Sequence, residues 1–128
     1  MFDVVAGTPL LMGISFRALS RASDEGQVII STIGYAELAG GFGSSDDMKS
    51  FIARLGIILV NVDEATAFLA GQFYKEYRLR GGTRVRILPD FLIAAHAQIH
   101  ADRILTRDHR FFGNSFPSLK AVAPEDLQ

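Results

Sequence analysis

The chain has 128 residues, 48% of them hydrophobic and 21% charged, a composition typical of one globular domain with one sizeable core. Its net charge of −1 excludes an overall basic surface, so any nucleic-acid partner has to be held by a local patch or by a metal ion. The absence of cysteine excludes a disulfide framework and thiolate metal sites, which is consistent with a reducing cytoplasm.

Targeting segments are not evident in the sequence. The amino-terminal stretch is apolar but lacks the basic region of a signal peptide, and no apolar run approaches the roughly 18 to 20 residues that a membrane span needs. We therefore expect a single domain over residues 1–128, located in the cytoplasm, without a membrane partner.

The first third of the chain predicts a helix, a strand and a second helix. Apolar positions favour a helix over residues 8–22, and residues 27–31 have the composition of a short strand. Thr32 can cap the next helix, which ends at the glycine-rich turn 40–43. Glu37 lies within the first two turns of this helix, at the carboxyl end of the preceding strand. A solvent-exposed glutamate and a site residue are equally good interpretations of Glu37.

The middle of the chain repeats this alternation of helix and strand. Ser44 or Ser45 can cap a helix whose first-turn acids, Asp46 and Asp47, suit the positive end of the helix dipole. Residues 57–60 form a short apolar strand, and Asp63 begins a long helix.

A basic segment follows the long helix. Five of the 13 basic residues fall within twelve positions, on and after the end of this helix. A solvated surface is the usual meaning of such a run, and a rim that contacts RNA phosphates is the functional alternative. The basic residues are Lys75, Arg78, Arg80, Arg84 and Arg86.

Two further acids follow at element ends. Pro89 and the apolar run after it predict a helix with Asp90 in its first turn, where unpaired N–H groups favour a carboxylate. Residues 103–106 predict a buried strand, and Asp108 lies just beyond its carboxyl end. Each acid taken singly is usually only a cap or a turn residue.

His96 and His100 are four residues apart, which is the spacing of a zinc-binding pair on a helix. There is no intervening glutamate in the HExxH arrangement and no clear third ligand, so we interpret both as histidines of a polar helix face.

Alternating helices and short apolar strands predict a three-layer α/β/α domain with a mainly parallel sheet. In this architecture Glu37, Asp90 and Asp108 all face the edge where the strands end. Three carboxylates so close together repel one another unless a cation neutralises them, and oxygen ligands select Mg²⁺ or Mn²⁺. The chemistry that follows is metal-assisted hydrolysis of a phosphodiester bond.

The motifs YAELAGGF, ILPDFLIAAHA and ADRILTRDHRFF, in this order, closely resemble those of PIN-domain ribonucleases, in particular VapC-like toxins of bacterial toxin–antitoxin pairs. The resemblance covers nearly the whole chain. It implies that Glu37, Asp90 and Asp108 match three of the family's four metal-binding acids, and that Thr106 matches a hydroxyl residue beside them. It also implies cleavage of single-stranded or loop RNA with Mg²⁺ or Mn²⁺, and inhibition by an antitoxin protein.

One departure from the family concerns the amino terminus. Family members begin with a strand ending in Asp-Thr-Asn, and this chain has no such motif. We align Asp3 with a later position and expect the first strand to be absent, which would leave a sheet edge prone to pairing and a homodimer as the expected assembly. Two functions therefore stay open: a metal-dependent endoribonuclease toxin, and a degenerate PIN-like binding module with little or no nuclease activity.

Overall fold

A computed structural model describes residues 2–4, 21, 24–83, 89–106 and 108–123. Short strands and helices alternate along these residues. Their bounds, in chain order, are β1 (Phe2–Val4), β2 (Val28–Ser31), α1 (Thr32–Ala39), α2 (Ser45–Leu55), β3 (Ile58–Val60), α3 (Glu64–Leu79), α4 (Pro89–His100), β4 (Arg103–Leu105), α5 (His109–Ser115) and β5 (Ala121–Val122).

The five strands form one parallel sheet in the order β3-β2-β1-β4-β5. Two hydrophobic clusters lie on its opposite faces, because the consecutive strand residues Ile104 and Leu105 belong to different clusters. Helix α2 covers the face of Leu105, and α3, α4 and α5 contribute to the cluster that contains Ile104. The predicted α/β/α layering and parallel sheet are confirmed.

The helix starts follow from side-chain capping. Ser44 Oγ accepts a hydrogen bond from the backbone N–H of Asp47 at 3.1 Å, and Asp63 Oδ1 accepts one from Thr66 at 2.9 Å. These contacts confirm the predicted beginnings of α2 and α3. Helix α2 ends at Gly56, whose φ of 67° is a left-handed conformation that glycine adopts without strain.

The prediction that the sheet lacks its first strand is corrected. Although the sequence has no Asp-Thr-Asn strand, Phe2–Val4 occupies the central position of the sheet, where it pairs with both β2 and β4. A gap there would leave the backbone groups of two strands unpaired, so the available extended segment fills it. Asp3 pairs in register with Ile29 and Ile104, one residue before the strand ends.

Other expectations need smaller adjustments. The helix predicted over residues 8–22 lies almost wholly outside the described residues. Ser31 rather than Thr32 caps α1, and α5 was not predicted, because its seven residues are too few for a clear hydrophobic period. Within the part of the chain that the structure describes, no helix has the length and hydropathy needed to cross a membrane.

Candidate active site at the carboxyl ends of the strands

Two helices begin at the carboxyl edge of the sheet. Helix α1 starts directly after β2, and three residues separate the end of β4 from the start of α5. These two strands flank β1. Because the strands are parallel, their carboxyl ends meet at the same edge, which is where ligands bind in open α/β sheets.

Two hydroxyl groups hold the start of the helix that carries Glu37. The buried Ser31 accepts a hydrogen bond from the backbone N–H of Gly34 at 3.0 Å. Thr32 Oγ1 accepts one from the N–H of Val62 at 3.3 Å, which ties α1 to the connection after β3. Ser31 was predicted only as the last residue of a strand and not as a helix cap, although a serine that ends an apolar strand before a helix is a cap signal.

Glu37 and Asp90 interact electrostatically across the two helices. The pKa of Glu37 is raised above its ordinary value, first by partial burial and then by the negative charge of Asp90. The side chain of Glu37 nevertheless keeps substantial contact with solvent. The structure therefore brings two of the three predicted acids close enough for the charge of Asp90 to disfavour ionisation of Glu37, and a bound cation would offset this effect.

The position of Asp90 follows from the packing of its neighbour. Asp90 is half-buried in the first turn of α4, and Phe91 is fully buried. The rings of Tyr77 and Phe116 contact the Phe91 ring edge-on, with centroids 5.3 and 5.6 Å away. Such aromatic contacts fix the start of α4, and with it the backbone of Asp90.

Thr106 positions the third acid. Its side chain is buried, and its Oγ1 accepts a hydrogen bond from the backbone N–H of Asp108 at 3.0 Å. Asp108 precedes α5 but its carboxylate makes no capping hydrogen bond, and the residue is exposed. The carboxylate of Asp108 is therefore not used to stabilise the helix.

A complete metal site is not formed by these side chains alone. Among the described residues, no group of three or more histidine, aspartate or glutamate side chains is arranged to hold a metal ion. Glu37 and Asp90 interact electrostatically, but Asp108 does not form a group of three ligands with them. A pair of carboxylates still fits the chemistry of Mg²⁺, which is often bound through one or two carboxylates together with water.

The structure describes only some of the arginines predicted to contact RNA phosphates. Arg78 Nη1 donates to the carbonyl of Gly82 at 3.3 Å, and Arg80 Nη2 donates to the carbonyl of Ser115 at 2.7 Å. Arg84 and Arg86 lie outside the described residues.

The histidine pair has a structural role at one of its members. His96 is fully buried, which corrects the prediction that it belongs to a polar helix face. Its Nε2 lies 2.8 Å from the carbonyl oxygen of Val60, which can only accept, so Nε2 carries the proton. The ring of His100 stacks at an angle on His96, with centroids 4.7 Å apart. The proton on Nε2 makes this nitrogen of His96 a hydrogen-bond donor and not a zinc ligand.

Comparison with known proteins identifies a matching family and similar solved structures. The PIN domain family matches residues 13–115. No curated protein matches the chain. The fold is similar to three solved structures, each about 20% identical to this chain. The first is VapBC2 from Rickettsia felis bound to a promoter DNA fragment, with a TM-score of 0.69 over 96% of this chain and 98% of that chain. The second is VapBC-1 from nontypeable Haemophilus influenzae, with a TM-score of 0.70 over 98% of this chain and 99% of that chain. The third is a toxin–antitoxin complex from Klebsiella pneumoniae, with a TM-score of 0.66 over 97% of this chain and 98% of that chain.

The matched segment includes α1, α4 and β4, which are the elements that carry or precede the three acids. It covers well over half of the sequence, and the parallel sheet with its flanking helices agrees with it. The chain belongs to the PIN domain family.

Proposed function

We propose that this protein is a metal-dependent endoribonuclease of a toxin–antitoxin pair. The observation that carries the proposal is that the charge of Asp90 acts on Glu37 at the carboxyl edge of a parallel sheet. Two carboxylates placed so that they interact electrostatically are an arrangement that a cation would stabilise. Because the donors are oxygen atoms, Mg²⁺ or Mn²⁺ fits them better than Zn²⁺.

Glu37 and Asp90 would hold the ion, and Asp108 is the third candidate ligand. When bound, such an ion polarises a phosphate oxygen and lowers the pKa of a water molecule. Helix α4 begins at Pro89, so Asp90 lies in its first turn, and the positive end of the helix dipole favours a nearby phosphate. Thr106 holds the backbone of Asp108, whose exposed carboxylate is open to solvent and to a substrate.

The partners follow from the similar structures. One of them is a toxin–antitoxin complex, which supports an antitoxin protein as a partner of this chain. RNA as the substrate is proposed from the resemblance of the sequence motifs to those of PIN-domain ribonucleases. A homodimer of the free protein stays a proposal, but a missing first strand no longer supports it, because Phe2–Val4 pairs with both β2 and β4.

A second candidate is a PIN-like binding module with little nuclease activity. It is favoured by the sequence at the central strand Phe2–Val4, which lacks the Asp-Thr-Asn motif that supplies an acid in the family. It is also favoured by the lack of a three-acid group among the described side chains. Both features reduce the number of ligands that could hold an ion firmly.

A cleavage assay with single-stranded RNA separates the two candidates. We expect cleavage with Mg²⁺ or Mn²⁺, and its loss in Asp90→Asn, which keeps the shape of the side chain but not the charge. Asp46→Asn is the matched control, because Asp46 is also a first-turn acid but lies on α2. Cleavage that survives chelation of divalent ions, or equal loss in both variants, would contradict the proposal, and a parent without activity would favour the binding module.

A further inference from the structure

A cleft of about 230 Å³ lies between the ends of two helices, and none of the three candidate acids lines it. We call it the α3–α5 cleft, because its walls are the last residues of α3, the turn that follows them, and the last residues of α5. The lining residues are Tyr77, Arg80, Gly81, Gly82, Asn114 and Ser115.

We propose that the α3–α5 cleft binds a backbone phosphate of single-stranded RNA, beside the nucleotides that are cut. This inference rests on the proposed function, because it assigns the cleft to the same substrate. The phosphate would lie next to Arg80 and Asn114.

Arg80 is already oriented for such a contact. One N–H group of its guanidinium donates to the carbonyl of Ser115 at 2.7 Å, and this is the only hydrogen bond that the Arg80 side chain makes to the described residues. Arginine has five N–H donors, so four are left for a ligand in the cleft. A guanidinium that is held in place loses little side-chain entropy on binding, which favours a charge-assisted contact with phosphate.

Two neutral groups extend this donor set. The side chains of Asn114 and Ser115 have no hydrogen bond to any residue that the structure describes, and Asn114 is exposed. An amide N–H and a hydroxyl are the neutral donors most often found on phosphate oxygens beside arginine. The hydrogen bond from Arg80 to the backbone carbonyl of Ser115 links the ends of the two helices. It does not use the side-chain amide of Asn114 or the hydroxyl of Ser115.

The shape of the cleft favours phosphate over a base. Helix α3 ends in a turn in which the N–H of Gly82 donates to the carbonyl of Tyr77 at 3.0 Å, and Gly81 has a φ of 90°. A Cβ on Gly82 would lie only 2.2 to 2.4 Å from three atoms of the Tyr77 ring, so the backbone of Gly82 covers that ring. Proteins that bind single strands usually contact bases by stacking them on an aromatic ring, and the covered Tyr77 ring offers little room for this.

The cleft is joined to the candidate active site through two rigid elements. The Tyr77 ring packs edge-on against Phe91, the residue that follows Asp90. On the other side, α5 (His109–Ser115) follows Asp108 and spans about 10 Å at roughly 1.5 Å per residue. A short strand of RNA could therefore contact the acids and the cleft together.

The test measures RNA binding in the full chain carrying Asp90→Asn, so that the probe stays intact. A fluorescein-labelled single-stranded RNA of mixed sequence is titrated at several salt concentrations, and fluorescence anisotropy is recorded. Asn114→Asp places a negative charge in the cleft without touching the bond between Arg80 and Ser115. Gln72→Glu is the control, because it adds the same charge to an exposed position of α3 outside the cleft.

Asn114→Asp is expected to weaken binding by up to roughly fivefold, the scale of one exposed charge interaction, and Gln72→Glu to change it much less. Arg80→Gln should weaken binding similarly and lower the log–log salt slope by about 0.7, the value for one phosphate contact on a single strand. The losses should be the same for uridine-only and adenosine-only RNA, because a phosphate carries no base identity.

Three results would overturn the inference in distinguishable ways. If the Asp90→Asn parent binds no RNA, the proposed function fails and the cleft assignment fails with it. If the parent binds RNA but Asn114→Asp and Gln72→Glu have equal effects, only the cleft assignment fails. A loss confined to one homopolymer would show that the cleft recognises a base, not a phosphate.

Discussion

Asp90, in the first turn of α4, raises the pKa of Glu37 on α1, although partial burial of Glu37 is the larger cause. A raised pKa means that the folded state disfavours the ionised carboxylate. Stability is therefore reduced at pH values above the folded pKa, and this penalty disappears as the pH falls towards the ordinary value of 4.5, where both states take up the proton.

Glu37→Gln should accordingly stabilise the metal-free protein at neutral pH, by at most about 1 kcal/mol because the side chain is partly exposed. The gain should shrink as the pH is lowered into the acidic range. Urea unfolding at neutral and acidic pH in the presence of a chelator measures it. Glu76→Gln, at another exposed glutamate on a helix, is the control, and an equal gain in both variants would argue against the pairing of Glu37 with Asp90.

Divalent ions should stabilise the parent through the same two acids. A ligand present at a hundred times its Kd adds about 2.7 kcal/mol to the free energy of unfolding. We expect Mg²⁺ or Mn²⁺ to raise the Tm of the parent, and to raise it much less in Glu37→Gln and in Asp90→Asn. A Tm that rises equally in all three proteins would place the ion elsewhere.

Thr106 should contribute through its hydroxyl oxygen. Thr106→Val keeps the shape of the side chain but removes the acceptor for the N–H of Asp108, and we expect it to lower the free energy of unfolding by about 1 kcal/mol. If the hydrogen bond also positions Asp108 for catalysis, RNA cleavage should fall in Thr106→Val and return in Thr106→Ser. Full cleavage by the valine variant would restrict Thr106 to a structural role.

Asp63 should make stability depend on pH in the opposite direction from Glu37. Hydrogen bonds from Thr66 lower the pKa of Asp63, and the nearby His100 adds to the effect. A lowered pKa gives a stabilising contribution that is present above the ordinary value of 3.8 and is lost as the pH falls through the folded value.

Asp63→Ala should therefore lower the urea midpoint at neutral pH, because the start of α3 loses its cap. Asp63→Asn keeps an oxygen that can accept from Thr66, so it should lower the midpoint less and remove the acid-dependent change. If the alanine and asparagine variants behave alike at neutral pH, the capping role is wrong.

The sequence by itself determined the kind of fold and the family. Alternation of short apolar strands with helices requires a layered α/β domain, since each apolar face has to be covered. Local signals also located most element ends: Ser44 and Asp63 cap their helices because a side-chain oxygen next to an unpaired N–H is a short-range interaction. The motifs around Glu37, Asp90 and Asp108 identified the family for the same reason, because each is contiguous in the sequence.

The tertiary structure decided what depends on contacts between distant segments. Phe2–Val4 lies between β2 and β4 because both strands need a partner, and no pattern within three residues reveals that requirement. The burial of His96 is possible because the carbonyl of Val60, far away in the sequence, accepts a hydrogen bond from its Nε2–H. The α3–α5 cleft exists because Tyr77 and Ser115 belong to helices that come together only in the folded chain. The effect of Asp90 on the pKa of Glu37 also depends on the fold, because electrostatic forces act through space between residues that are distant in the sequence.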